Sequence, residues 1–125
     1  MEYVKSFREL EVYKLSRKVS REIYILTKNF PTEERYSVTD QIRRSSRSVG
    51  AQIAEAWGKR RYEMHFISKL TDADAEQLET QHWLEVSLEC VYIESETAKR
   101  LLAECESVGK MLQKMIDKSG SFCNP

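Results

Sequence analysis

From Val12 to Met115 the apolar residues return every three or four positions, and only one proline, Pro31, lies inside that span. A repeat near 3.6 residues is the mark of helices that bury one face. The first stripe is Val12, Leu15, Val19, Ile23 and Leu26, and it stops at Phe30-Pro31 because proline disfavours helix at the residue before it. The second is Val38, Ile42, Ser45, Val49, Ile53 and Ala56, with Ser37 as the expected N-cap and a break near Gly58. The third begins near Glu63 and uses Phe66, Leu70, Ala73, Gln77, Leu84, Leu88 and Val91. The fourth uses Ala98, Leu101, Cys105, Val108, Leu112 and Met115, with Ser95 expected to cap it. Four long helices joined by short connections predict an all-α, up-down-up-down four-helix bundle. Four glycines and two prolines are too few turn residues for an all-β domain of 125 residues.

The length suits one domain, residues 1–125, with a tail frayed from about 119 to 125. Apolar residues make up 41% and aromatics 10%, enough to exclude a disordered chain. The N-terminus lacks the apolar core of a signal peptide, and no run of 18 apolar residues is present, so no membrane partner is expected. Three cysteines without a C-x-x-C pair fit reduced thiols and a cytoplasmic location. Lysine and arginine balance aspartate and glutamate at 20 each, but unevenly: residues 35–70 carry a net +5 and residues 71–106 a net −8. Any attraction for nucleic acid is therefore local.

The second helix has two unusual faces. Its charged outer residues, Arg43, Arg44 and Arg47, are followed past its end by Lys59, Arg60 and Arg61. Arginine forks match phosphate oxygens, which makes these six residues candidates for nucleic-acid binding. The opposing reading pairs the arginines with the acids of residues 71–106. Further along the same outer line lie Ala51, Ala54 and Gly58, where a water-exposed face would ordinarily carry charge. Small residues allow close helix approach, so these three are candidates for contact with another subunit; alanine as a good helix former on an unoccupied surface explains them equally.

Other chemistry is poorly supported. Glu79 and His82 have Glu-x-x-His spacing, but a di-iron bundle needs a second such unit, and His65 lacks the spacing. No metal and no cofactor are expected. No nucleophile elbow or phosphate-binding loop is present, which argues against an enzyme. Cys105 falls on the fourth stripe and reads as core. Trp57 and Trp83 suit core or groove packing, or an interface anchor. Ser45, Ser48 and Gln52 are expected to face Asp74, Gln77 and Gln81 in a polar layer between the second and third helices.

The segments FRELEVYKLS, NFPTEERYSVTDQIRRSSRSVGAQIAEAWGK and DAEQLETQ occur in that order. Together they resemble the bacterial four-helix bundle family encoded within intervening sequences of large-subunit ribosomal RNA genes. The matching positions are Phe30, Pro31, Glu34, Gln41, Ile42, Arg43, Arg44, Ser48, Val49, Ile53, Ala54 and Glu55. Gln52 stands where the pattern has asparagine and Ala56 where it has glycine. The resemblance spans about residues 7–116. It implies a homopentameric ring without catalytic activity, related to the accessory variability protein of diversity-generating retroelements, a basic pentamer that binds nucleic acid. The expected function is thus a homo-oligomeric accessory scaffold that binds RNA or a nucleoprotein through a repeated basic patch. The alternative is a protein–protein scaffold with no nucleic-acid role.

Overall fold

A computed structural model of the chain describes residues 4–123. Four long helices carry the fold: α1 (Glu11–Thr27), α2 (Val38–Gly58), α3 (Glu63–Glu89) and α4 (Ser95–Asp117). Short 3₁₀ turns at Phe7–Glu9 and Thr32–Glu34 precede α1 and α2. Helix α1 packs on α2 and α4, and α3 packs on α2 and α4, so α1 and α3 are diagonal across a square bundle. Among the described residues there is no strand, and no helix is long and apolar enough to cross a membrane.

The stripes read from the sequence are the buried faces, except at Val91, which was expected on the inner face of the third helix but lies past the helix end at Glu89 and is exposed. They form two apolar clusters stacked along the bundle axis. One centres on Ile53, Phe66, Leu70 and Leu112, the other on Ile23, Ile42, Leu84 and Leu101. Burying a side chain of this size is worth about 1.5–3 kcal/mol, and the two clusters supply the main force that holds the helices together. Cys105 lies in the second cluster, where burial pushes its thiol up to about 12. Trp57 and Trp83 pack partly buried against the two clusters.

Between the clusters sits a polar layer, but its wiring differs from the expected one. Across α2 and α3 the contact is Thr80 Oγ1 to Ser45 Oγ, 3.0 Å. Ser48 and Gln52 reach only each other, along α2. Gln77 donates to Asp74 Oδ1 at 2.9 Å and accepts from Gln81 Nε2 at 2.7 Å, a chain that runs along α3. Gln77 is 5% exposed and lies against α4 at Gly109, where an added Cβ would sit 2.8 Å from Gln77 Nε2. The missing side chain of Gly109 makes the space for these polar groups, and that turns them toward α4 instead of α2. A cavity of about 10 Å³ beside Ser16, Ser46, Gln77 and Thr80 has room for about one water.

The helix ends follow from local chemistry, with three departures from expectation. The Ser37 side chain makes no capping bond to the first turn of α2. Glu94, not Ser95, occupies the N-cap position of α4. The stretch expected to fray after Lys118 forms a one-turn helix, α5 (Ser119–Phe122), because Phe122 stacks on Phe66 with ring centres 5.9 Å apart and the Ser119 hydroxyl donates to Glu63. Residues 124 and 125 of that tail lie outside the described residues. Helix α3 ends in a Schellman motif: the Tyr92 N–H reaches the Ser87 carbonyl and the Val91 N–H the Leu88 carbonyl, each at 2.9 Å. This places Val91 at φ 61°, the left-handed region usually left to glycine.

Candidate nucleic-acid interface

The arginines of α2 part company because of helix geometry. At 100° per residue, Arg43 and Arg47 share a direction, whereas Arg44 points a quarter-turn away. Arg43 and Arg47 lean toward α1. Arg43 donates from Nε to Thr27 Oγ1 at 2.7 Å, and its guanidinium lies 4.7 Å from the Tyr24 ring centre. The Arg47 guanidinium lies 5.0 Å from the same ring, and Lys28 Nζ 4.9 Å. Tyr24 is therefore ringed by three cations, each drawn to the negative face of its π-system.

Arg44 leans toward α3 and is occupied. Its guanidinium spans Glu76 at 3.1 Å and Glu79 at 2.6 Å. This bond holds the Glu79 carboxyl below the usual carboxylate range and raises the Arg44 guanidinium. The reading in which arginines pair with the acids of residues 71–106 holds for Arg44, and the single outer patch of three arginines is replaced by two separate directions. Glu79 also accepts from Trp83 Nε1 at 3.0 Å, and His82 packs on Trp83 with ring centres 4.7 Å apart. Glu79 is thus committed to Arg44 and Trp83. Among the described residues no group of three His, Cys, Asp or Glu side chains gathers to hold a metal.

Arg47 opens onto a groove of about 790 Å³ between α1 and α2. The α1 wall presents Tyr13, Lys14, Arg17, Lys18 and Arg21, and the α2 wall presents Arg47, Gly50, Ala51 and Ala54. No aspartate or glutamate is among the lining residues. The two helices come close at Gly50, where an added Cβ would be 3.3 Å from Ser16 Oγ. Arg17 donates to the Tyr13 hydroxyl at 2.7 Å, which holds its guanidinium along the groove. Lys14 and Lys18 pair with Glu11 at 3.5 Å and Glu104 at 3.7 Å, whereas Arg17, Arg21 and Arg47 make no ion pair among the described residues.

The other sequence candidates lie elsewhere. Lys59, Arg60 and Arg61 follow α2 at its far end, roughly 18 Å along the axis from Arg47. There Arg60 folds back on Trp57, 3.6 Å from the ring centre, and donates to the Trp57 carbonyl at 2.8 Å. Arg61 lies 5.9 Å from the Tyr62 ring. Ala51 and Ala54 are part of the groove wall, while Gly58 has nothing within 4 Å of an added Cβ. The structure thus adds Tyr13, Lys14, Arg17, Lys18, Arg21 and Tyr24, none of which the sequence alone singled out. Their signal was present: Lys14, Arg17, Lys18 and Arg21 step by three, four and seven along one helical face.

A family model for the 23S rRNA-intervening sequence protein matches residues 8–114. The chain belongs to this family. The match runs from before α1 to near the end of α4, so both walls of the groove fall inside it. A crystal structure from Bacteroides thetaiotaomicron, described as a protein of unknown function from the S23 ribosomal protein family, is similar at 31% identity and a TM-score of 0.76. The similarity covers 85% of this chain and 95% of that one. No curated protein matches at a significant level. Neither description names a catalytic activity. Of the two departures from the family pattern, Ala56 is buried in the first apolar cluster and Gln52 is half-buried with its Oε1 unpartnered.

Proposed function

We propose that this family member is a non-catalytic accessory protein that binds RNA along the α1–α2 groove. The observation that carries the reading is the groove lining itself: five cations, three tyrosine or phenylalanine rings and small residues, with no carboxylate. Arginine and lysine meet phosphate oxygens, and exposed rings stack on unpaired bases. The small side chains of Gly50, Ala51 and Ala54 let a strand approach the α2 backbone. The family description, which ties the family to ribosomal RNA genes, supports RNA as the polyanion. Lys59, Arg60 and Arg61 form a second, smaller basic site at the far end of the bundle.

The resemblance implies a homopentamer. A ring of five presents five grooves, and linked weak contacts add through effective concentration. Native mass spectrometry of protein isolated without nuclease tests both points. The expected result is a mass near 73.5 kDa, five times the 14.7 kDa chain, with added nucleotide mass. A bare monomer contradicts both.

One observation favours a second reading, a protein–protein scaffold. Residues 71–89 of α3 carry six acids and no lysine or arginine, and Leu78 in their midst is exposed. An acidic helix of this kind is complementary to the groove. In that case purified assemblies carry no nucleotide, and Ala51 and Ala54 seat a helix.

A further inference from the structure

The groove leads past Tyr24 to a recess of about 410 Å³ where α1, the 28–37 connection and the start of α2 meet. Lys28, Arg35 and Arg43 line it, together with Thr39 and one carboxylate, Asp40. Two independent features make it more than a basic hollow. First, α2, like the other long helices, has no side-chain cap, so the N–H groups of its first turn are left to water or a ligand. Second, Thr39, in that first turn, is 8% exposed, and its Oγ1 has no hydrogen-bond partner. A buried hydroxyl is ordinarily bonded, because it loses its hydration on burial and is costly to leave unpaired.

We propose that this recess binds a phosphate group at the N-terminus of α2. The uncapped N–H groups and the helix dipole favour an anion there. Thr39 donates its idle hydroxyl, and Lys28, Arg35 and Arg43 supply three positive charges against the one negative charge of Asp40. The Thr27–Arg43 bond fixes the direction of one of those cations. A phosphate rather than a carboxylate suits the site, since its several oxygens can serve N–H groups, a hydroxyl and guanidinium forks together. The proposal rests on the RNA reading of the adjoining groove: the phosphate is that of an RNA strand, either its 5′ end or its backbone.

The test titrates inorganic phosphate into isotope-labelled protein at low ionic strength and follows amide resonances. Shifts concentrated at Val38, Thr39 and Asp40 are expected. Thr39→Val keeps the side-chain volume and loses no existing bond, so the fold stays, while phosphate binding weakens by about tenfold. Arg35→Ala, at an exposed residue, gives a similar loss. Short RNAs with and without a 5′-phosphate then distinguish the sources. Preference for the phosphorylated end that disappears in Thr39→Val assigns the terminal phosphate; equal weakening of both RNAs assigns the backbone. Absent shifts at Val38–Asp40, or unchanged phosphate binding in both variants, overturn the site. The groove reading falls separately, if Arg17→Glu with Arg21→Glu leaves RNA binding intact.

Discussion

Arg44 Nη2 lies 2.6 Å from Glu79 Oε2, and that single pairing separates the structural arginine of α2 from the two that face the groove. Arg44 is 47% exposed, so the pair adds little to stability. Arg44→Ala is expected to lower stability by at most about 1 kcal/mol and to leave RNA affinity unchanged. Arg47→Ala should do the reverse, weakening RNA binding and lowering the salt slope by about one unit while stability holds. Thermal melts and filter binding on the two variants check this.

The same pairing has a pH signature. Glu79 and Glu22 are held below their ordinary range, Glu79 by its bond to Arg44 and Glu22 by its bond to Arg100. A carboxylate depressed in the folded state stabilises above its unfolded value, about 4.3, and that contribution is lost as pH falls through the folded value. Melting temperature should therefore be flat from pH 7 to about 5 and fall below about 4.3. In an Arg44→Ala, Arg100→Ala variant the fall should be shallower.

Val91 holds a left-handed backbone at the end of α3 with 83% of its surface exposed. A β-branched residue there costs about 1–2 kcal/mol, and glycine does not share that cost. Val91→Gly should stabilise the protein by about 1 kcal/mol, after allowance for the freer unfolded chain, and raise the melting point by about 4 °C. Calorimetry reads the shift directly.

Two glycines should respond oppositely to alanine. At Gly109 the new Cβ would lie 2.8 Å from buried Gln77 Nε2 and 3.2 Å from Asp74 Oδ1, so the α3 polar chain must move. A loss of about 1–3 kcal/mol is expected. At Gly58 nothing lies within 4 Å, and alanine should be neutral or stabilising by up to about 1 kcal/mol. Denaturant unfolding of both variants decides the matter.

The thiols should separate by reactivity. Cys105, pushed up to about 12 by burial, stays a thiol at neutral pH, whereas Cys90 is exposed. Alkylation followed by mass spectrometry should label Cys90 first and Cys105 only on unfolding.

The fold was legible because burial sets the period: Val49, Ile53, Leu70 and Leu112 sit in the core at the positions their spacing foretold. The site was legible only in part. Arg43, Arg44 and Arg47 read as one patch, since a linear sequence shows shared charge but not which neighbour each residue meets; Tyr24 and Glu79 settle that, and they come from two other helices. Lys14, Arg17 and Arg21 did not stand out, because a cationic stripe gains meaning only once the small wall of α2 stands beside it. Thr39 gave no signal at all: an unpartnered hydroxyl is a property of packing. The tail misled for a related reason, since Phe122 gains order only from Phe66, far away in sequence.

RNA affinity as a function of salt, for the wild type and two charge-reversed variants, decides whether the α1–α2 groove binds RNA. One variant carries Arg17→Glu, Arg21→Glu and Arg47→Glu in the groove; the other carries Lys59→Glu, Arg60→Glu and Arg61→Glu at the far turn. For the wild type, log affinity should fall linearly with log salt. The groove variant should lose at least about a hundredfold in affinity with its mass unchanged, and the turn variant only a few-fold. Salt-independent binding, or a groove variant that binds RNA as the wild type does, would rule out the groove as the RNA site.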